Sequence, residues 1–374
     1  MSSRVCVFTG TRPQNKPTTW KNFSRNCARS APPVKAVSPP RKEKPPVPEH
    51  IINGIGKAIS QARDILLVSH IRPDGDAVGS LLGLGLSLQA AGKRVQMVLN
   101  DGVPKGLRFL PGSEQVQKKI QAPYDLSIVL DCSDLQRTGQ VFADEPRPDI
   151  NIDHHPTNLH FAHLNLVESH AVATTEILTR YLPQWDLPIP PEAASTLLTG
   201  LLTDTLGLRT PNMRPEVLRV AASLMELGAN LPDLYFQAMV QREFTAARLW
   251  GEGLRRLQRQ GNIVWTSLTL EDKRIANYHG NDDADLINVL SSIAQADIAL
   301  IFVEQSPERV KISWRSRRPF DISQVALSFG GGGHKNAAGA EVSGSLAEVQ
   351  SAVLHATQQA WEAQVNPSPV VAAD

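Results

Sequence analysis

The stretch Ile65-Leu66-Leu67-Val68-Ser69-His70-Ile71-Arg72-Pro73-Asp74-Gly75-Asp76 decides the fold. Its first four residues are apolar without a polar alternation, which predicts a strand buried on both faces. Pro73 and Gly75 force a turn directly after it, and 79–92 has the pattern of a helix closed by its glycine. Residues 95–99, 126–130 and 149–152 repeat the strand pattern between helical stretches. Apolar strands interleaved with helices predict an α/β fold: a mainly parallel sheet with helices on both faces. From 171 to 260 the pattern is almost entirely helical. Strands restart at 262–270, 298–304 and 310–314, and a helix over 346–364 closes a smaller α/β C-terminal lobe.

The charge is unevenly spread. Of 38 basic and 37 acidic residues, ten basic ones precede Glu49 with Glu43 as their only acid. Beyond Glu49, 28 basic residues therefore face 35 acidic ones, a net of about −7. An acidic body suits a protein that holds cations better than one that coats duplex DNA. Residues 1–48, rich in Pro, Ser, Arg and Lys, bury too little to offset their ordering entropy and are expected to be a disordered extension. Their composition is also that of an organelle transit peptide, although a flexible tail or a mis-called start codon is the favoured reading. The expected division is then 49–241 for the first lobe, 242–260 for a connecting helix, 261–364 for the second lobe and 365–374 for a tail. Cys6, Cys27 and Cys132 make no disulfide framework, which predicts a reducing, cytoplasmic setting. No apolar run approaches the ~18 residues of a membrane span, and the head has no apolar core of a secretory signal.

Each strand of the first lobe runs into residues that carry chemistry. His70, Asp74 and Asp76 follow the first, at the end where open α/β sheets bind ligands. Alone, Pro73-Asp74-Gly75 is as well read as a surface turn with Asp74 capping the next helix. Strand 126–130 delivers Asp131, again a possible helix cap, and strand 149–152 delivers Asp153, His154 and His155. Asp204 interrupts the apolar stretch 197–210, where an ionised carboxylate is costly unless paired or metal-bound. Together His70, Asp74, Asp76, Asp131, His154 and Asp204 form a set of four carboxylates and two imidazoles. Such a set suits manganese better than zinc, since no thiolate is placed to join it; Cys132 is read as core. Six ligands exceed the needs of one catalytic ion. They suffice for two divalent ions, one carboxylate bridging them and a water between.

These segments resemble motifs I to IV of the DHH phosphoesterase superfamily, named for the triplet at 153–155. Residues 310–316 and Phe329-Gly330-Gly331-Gly332-Gly333-His334-Lys335-Asn336-Ala337-Ala338-Gly339 resemble its DHH-associated C-terminal domain. The likeness runs over about 50–362 in order and is nearest to the subgroup of bifunctional oligoribonucleases and 3′-phosphoadenosine-5′-phosphate phosphatases, the NrnA-like proteins. It implies two Mn2+ ions, one on His70, Asp74 and Asp131, the other on Asp76, Asp131, His154 and Asp204. It further implies Asp131, His155 and Asp204 as catalytic residues, with His155 on the substrate phosphate and Asp153 orienting an imidazole. Arg72 stands where many relatives have Asn. In the second lobe, glycines let backbone N–H groups approach an anion closely. Arg315, Ser316, Gly331, Gly332, Gly333 and His334 are accordingly expected to bind substrate across a cleft from the metals. The expected substrates are short single-stranded RNA and nucleotides, with a homodimer left open. The motifs do not separate this activity from cyclic-dinucleotide hydrolysis. A non-catalytic nucleotide-binding module is the reading from another class, and its expected mark, an eroded ligand set, is not seen in this sequence.

Overall fold

The computed structural model describes residues 47–143, 145–317 and 320–365, and of His334 the backbone alone. The basic head up to 46 and the tail from 366 lie outside the described residues. The first sheet has five strands, β1 (Asp64–Val68), β2 (Arg94–Val98), β3 (Leu126–Leu130), β4 (Ile150–Asp153) and β5 (Leu164–Val167). Their order is β2-β1-β3-β4-β5, and every pair is parallel. Ile65, Leu66, Leu67 and Val68 are all fully or almost fully buried, as their unbroken apolar run requires, and each contributes about 1.5–3 kcal/mol.

Helix α1 (Glu49–Gln61) precedes β1, and α2 (Gly75–Ala90) carries the chain from β1 to β2. Apolar on nearly all sides, α2 is buried along most of its length. Its start is fixed by Asp74, whose Oδ1 accepts from the N–H groups of Asp76 and Ala77. After β5 come α3 (Thr174–Tyr181), α4 (Pro191–Asp204), α5 (Pro215–Glu226) and α6 (Leu231–Tyr235), then a π-turn over Phe236–Val240. Helix α4 lies against α2 at backbone distance. A Cβ on Gly79 would stand 2.6 Å from the Thr196 carbonyl oxygen and 3.0 Å from the Gly200 backbone. The glycines thus set how closely these helices approach, and with it the separation of Asp76 on α2 from Asp204 on α4.

Helix α7 (Phe244–Arg255) leads to the second sheet of β6 (Gln258–Gln260), β7 (Ile263–Leu268), β8 (Ile298–Ser306), β9 (Arg309–Ser316), β10 (Gly332–His334) and β11 (Ala337–Ser343). Its order is β10-β11-β9-β8-β7-β6, with β7 and β8 parallel and the other neighbours antiparallel. Between these strands lie α8 (Leu270–Ala276), α9 (Leu286–Leu290) and α10 (Ser323–Ser328), and α11 (Leu346–Val365) follows them. Phe302, Ile312, Trp314 and Val353 sit in the core on one face; Leu249, Val264, Ile301 and Leu290 sit on the other.

Three segments depart from the expectation. Residues 258–260, expected as helix, pair as β6 with β7; all three are exposed and polar, so no apolar period marks the edge strand. Strand β5 was not foreseen, being four residues long and only partly buried. The glycine run, in which no strand was foreseen, enters β10 and pairs with β11. A Cβ on Gly333, at φ +142°, would stand 2.5 Å from the Ala337 carbonyl oxygen, and one on Gly331 would collide with that of Gly339. Close strand approach therefore accounts for two of the four glycines.

Candidate metal centre

The strand order of the first sheet reverses between β1 and β3, and the crevice at the carboxyl ends of such strands is where open α/β folds bind ligands. Strand β1 delivers His70 there, with Asp74 and Asp76 at the start of α2; β3 delivers Asp131; β4 ends in Asp153, followed by His154 and His155. Asp204 arrives from outside the sheet, as the last residue of α4. Asp131 sits at φ +52°, a strained region that Asp and Asn tolerate better than most residues.

All six expected ligands converge, together with His155. Three overlapping groups have donor atoms within 4.8 Å of one another: His70, Asp74 and Asp131; Asp76, His154 and Asp204; and Asp131, His154 and His155. His70 Nε2 lies 3.4 Å from Asp131 Oδ2 and 3.9 Å from Asp74 Oδ1. His154 Nε2 lies 3.6 Å from Asp204 Oδ2 and 3.7 Å from Asp131 Oδ1. These gaps are long for direct hydrogen bonds. They are close to the roughly 3–3.5 Å between neighbouring ligands that each stand about 2.0–2.2 Å from one ion.

The imidazoles are set by their other nitrogen. His70 Nδ1 faces the Ile71 carbonyl at 2.8 Å and His154 Nδ1 the Ala171 carbonyl at 3.3 Å, so in the neutral ring the proton sits there and Nε2 is the nitrogen a cation would take. His155 differs. Its Nδ1, the atom 3.7 Å from Asp131 Oδ1, donates instead to Asp153 Oδ1 at 2.7 Å. That bond removes His155 Nδ1 from ligation and leaves Nε2 for another partner. Asp153 is fully buried, and its Oδ2 accepts from Asn158 Nδ2 at 2.6 Å.

The electrostatics call for positive charge. Burial, reinforced by the nearby Asp131 and Asp204 carboxylates, pushes the Asp76 carboxyl well above its ordinary range. Burial likewise raises Asp204, to about 6. Burial opposes ionisation of Asp131 too, but the surrounding His70, His154 and His155 outweigh it and hold its carboxyl low. Burial would lower His154, yet Asp131, Asp76 and Asp204 carry it up to about 9. His70 is raised as well: the Asp131 carboxylate outweighs its burial. Carboxylates packed this tightly repel one another until cations are shared among them, so the donor set fits hard divalent ions.

Sequence reasoning missed the residues that hold the carboxylates. Ala173, the residue before α3, has no side chain to cap it, and the helix's first N–H groups turn to Asp76. The Thr174 N–H donates to Asp76 Oδ2 at 2.6 Å; the Thr175 N–H and Oγ1 donate to Oδ1 at 3.0 and 2.7 Å. Thr174 Oγ1 donates to Asp131 Oδ1 at 2.9 Å. The available signal was two threonines opening a helix after the apolar 171–173, with no cap of their own.

In the second lobe, Arg315 on β9 is partly buried, which lowers its pKa against the raising pull of Asp283 and Asp285. Its Nη1 donates to the Trp314 carbonyl at 3.0 Å. Ser316 is engaged locally, donating to the Phe320 carbonyl at 2.7 Å and accepting from Asn336 Nδ2. Gly331 and Gly332 are half-buried and Gly333 exposed; the side chain of His334 lies outside the described part.

Two family models match this chain, the DHH family N-terminal domain over residues 64–201 and the DHHA1 domain over 273–362. The bifunctional oligoribonuclease and PAP phosphatase NrnA of Thermus thermophilus is 34% identical over 299 residues, 79% of this chain and 89% of that protein. The chain belongs to the DHH family, in its NrnA-like group. It is a hydrolase of phosphoester bonds. The Bacillus subtilis protein of the same description is 25% identical, covering 76% of this chain and 91% of its own length. Among solved structures, an exopolyphosphatase-related protein from Bacteroides fragilis matches with a TM-score of 0.76 at 28% identity, over 84% of this chain and 96% of that one. Among the described residues no helix is long and apolar enough to cross a membrane.

Proposed function

We propose that this chain degrades short oligoribonucleotides to mononucleotides and removes a phosphate from 3′-phosphoadenosine-5′-phosphate, using two divalent ions, manganese by preference. His70, Asp74 and Asp131 would hold one ion; Asp76, Asp131, His154 and Asp204 the other. The observation that carries this reading is the convergence of those six side chains, from three strand ends, the start of α2 and the end of α4, into overlapping groups with shared Asp131 and His154. The relatives named for the two activities span most of this chain. When bound, such ions lower the pKa of a shared water to near neutrality and offset charge on the phosphoryl oxygens.

The chain's own groups supply the rest. Asp131 would bridge the two ions, since on its left-handed backbone Oδ2 faces His70 and Oδ1 faces His154. His155, oriented by Asp153, would meet a phosphoryl oxygen as an imidazolium, with its Nε2–H donating. Arg315 and the glycine-rich turn before β10 would take a second phosphate across a cleft, Arg315 gripping it through paired N–H donors. The test is a panel of RNA dinucleotide, 3′-phosphoadenosine-5′-phosphate and cyclic di-AMP, each with and without Mn2+. Metal-dependent cleavage of the first two, lost in Asp131→Asn, is expected. Turnover of cyclic di-AMP alone would reassign the substrate, and no metal-dependent turnover of any of them would favour a binding module.

A further inference from the structure

The first turn of α3 is held in place by a partly buried ion pair that no metal ligand takes part in. Glu176, almost fully buried, accepts from the Val172 N–H at 2.7 Å through Oε2, folding the 172–176 turn onto itself. Its Oε1 accepts from Arg214 Nη2 at 2.8 Å, and the same guanidinium donates through Nη1 to the His170 carbonyl. Arg214 closes the segment that leaves Asp204, in which Leu206, Gly207 and Leu208 all have positive φ. One arginine therefore ties the loop after Asp204 to the turn whose Thr174 and Thr175 grip Asp76 and Asp131.

We infer that Thr174, Thr175, Glu176 and Arg214 form a brace whose role is to set metal affinity. It rests on the metal reading proposed above. Buried carboxylates that repel one another would swing apart if nothing else held them. Three donors on Asp76 and one on Asp131 hold their oxygens aimed, so a cation meets a site already formed. Thr174 contributes through two different atoms, its N–H to Asp76 and its hydroxyl to Asp131, and so fixes the two ligands relative to each other. These are positioning residues; none contacts substrate in this scheme. A purely structural role would change thermal stability and leave the affinity of the folded protein for metal unchanged.

The experiment is calorimetric titration of Mn2+ into the metal-free full chain and its variants, with thermal melts of each metal-free protein. Thr174→Val keeps the shape and the N–H bond but deletes the hydroxyl. It is expected to weaken Mn2+ binding at least about tenfold, the usual range for losing a group that orients a ligand. Thr174→Ser restores the hydroxyl and should return affinity to within about threefold of the starting protein, well inside that loss. Arg214→Ala should weaken binding as Thr174→Val does, besides lowering the melting temperature. Unchanged Mn2+ affinity in Thr174→Val, or a Ser variant as weak as the Val variant, overturns the brace while leaving the metal centre standing. A starting protein that binds no Mn2+ overturns the metal reading itself, and the brace with it.

Discussion

Replacing Gly200 by alanine probes the geometry of the centre from a residue that carries no chemistry. An added Cβ would stand 2.5 Å from Thr175 Cγ2, 3.0 Å from Asp76 Oδ1 and 3.1 Å from Thr175 Oγ1. Carbon atoms in contact prefer about 3.5–4.0 Å, so the overlap with Thr175 is about 1 Å. Thr175 could swing away only by giving up its 2.7 Å bond to Asp76, a loss of about 1 kcal/mol or more. Otherwise α4 must retreat, taking with it Asp204, one turn further along the same helix. Overpacking of this kind costs about 1–3 kcal/mol, while Gly→Ala within a helix gains about 0.5–1 kcal/mol. The expected net is a loss of about 1–2 kcal/mol from these terms, a drop of a few degrees in melting temperature. The larger effect falls on the metal, since ligands displaced by a fraction of an ångström should lose about 10–100-fold in affinity. Paired thermal melts and Mn2+ titrations measure both. A Gly200→Ala protein that is more stable and binds Mn2+ as tightly as before would refute the claim that the α2–α4 contact sets the site.

Other substitutions test separate parts of the account. Gly251→Ala, on the exposed side of α7 with nothing within 4 Å of the added methyl, should stabilise by about 0.5–1 kcal/mol in a denaturant titration. Asp272 is fully buried, and although burial opposes its ionisation, bonds from Arg256 and Thr269 hold its carboxyl below the ordinary range. A lowered folded-state pKa adds stability above the unfolded value of about 3.9 and loses it as pH falls through the folded one. Asp272→Asn should therefore cost about 2 kcal/mol at neutral pH and flatten the acid limb of the stability profile below about pH 4. A parallel acid limb in the variant would remove Asp272 from that role. Arg315→Ala should raise KM for an RNA dinucleotide by about tenfold or more, the worth of a charged hydrogen bond, with Mn2+ affinity unchanged. Equal KM values would move the substrate's second phosphate elsewhere.

What the sequence disclosed follows from where the free energy lies. Strand β3 is legible to the residue, because Leu126-Ser127-Ile128-Val129-Leu130 is buried on both faces and needs no partner to be recognised. Strand β10 was not legible, since Gly332-Gly333-His334 has no β-forming side chains and forms only through its pairing with Ala337–Gly339. Five of the six ligands announced themselves because they follow apolar strands, so their positions relative to the sheet could be read locally; Asp204 stood out instead as an acid in an apolar stretch, which folds as α4. The bonds on Asp76 link residues 98 and 99 apart in sequence, and no local pattern marks such a contact. The different roles of His154 and His155 were implied only by the family resemblance, since no local pattern separates the two rings. They depend on which acceptor each Nδ1 finds, a carbonyl beyond β5 for one and the adjacent Asp153 for the other.

Two ions shared by one carboxylate stand at the centre of the proposed function. The direct measurement is a crystal structure of the Mn2+-loaded protein with anomalous scattering recorded at the manganese edge. Two peaks are predicted a few ångströms apart, one within bonding distance of His70, Asp74 and Asp131, the other of Asp76, His154 and Asp204, with Asp131 touching both. A single peak, or peaks that leave Asp131 uncoordinated, would contradict it.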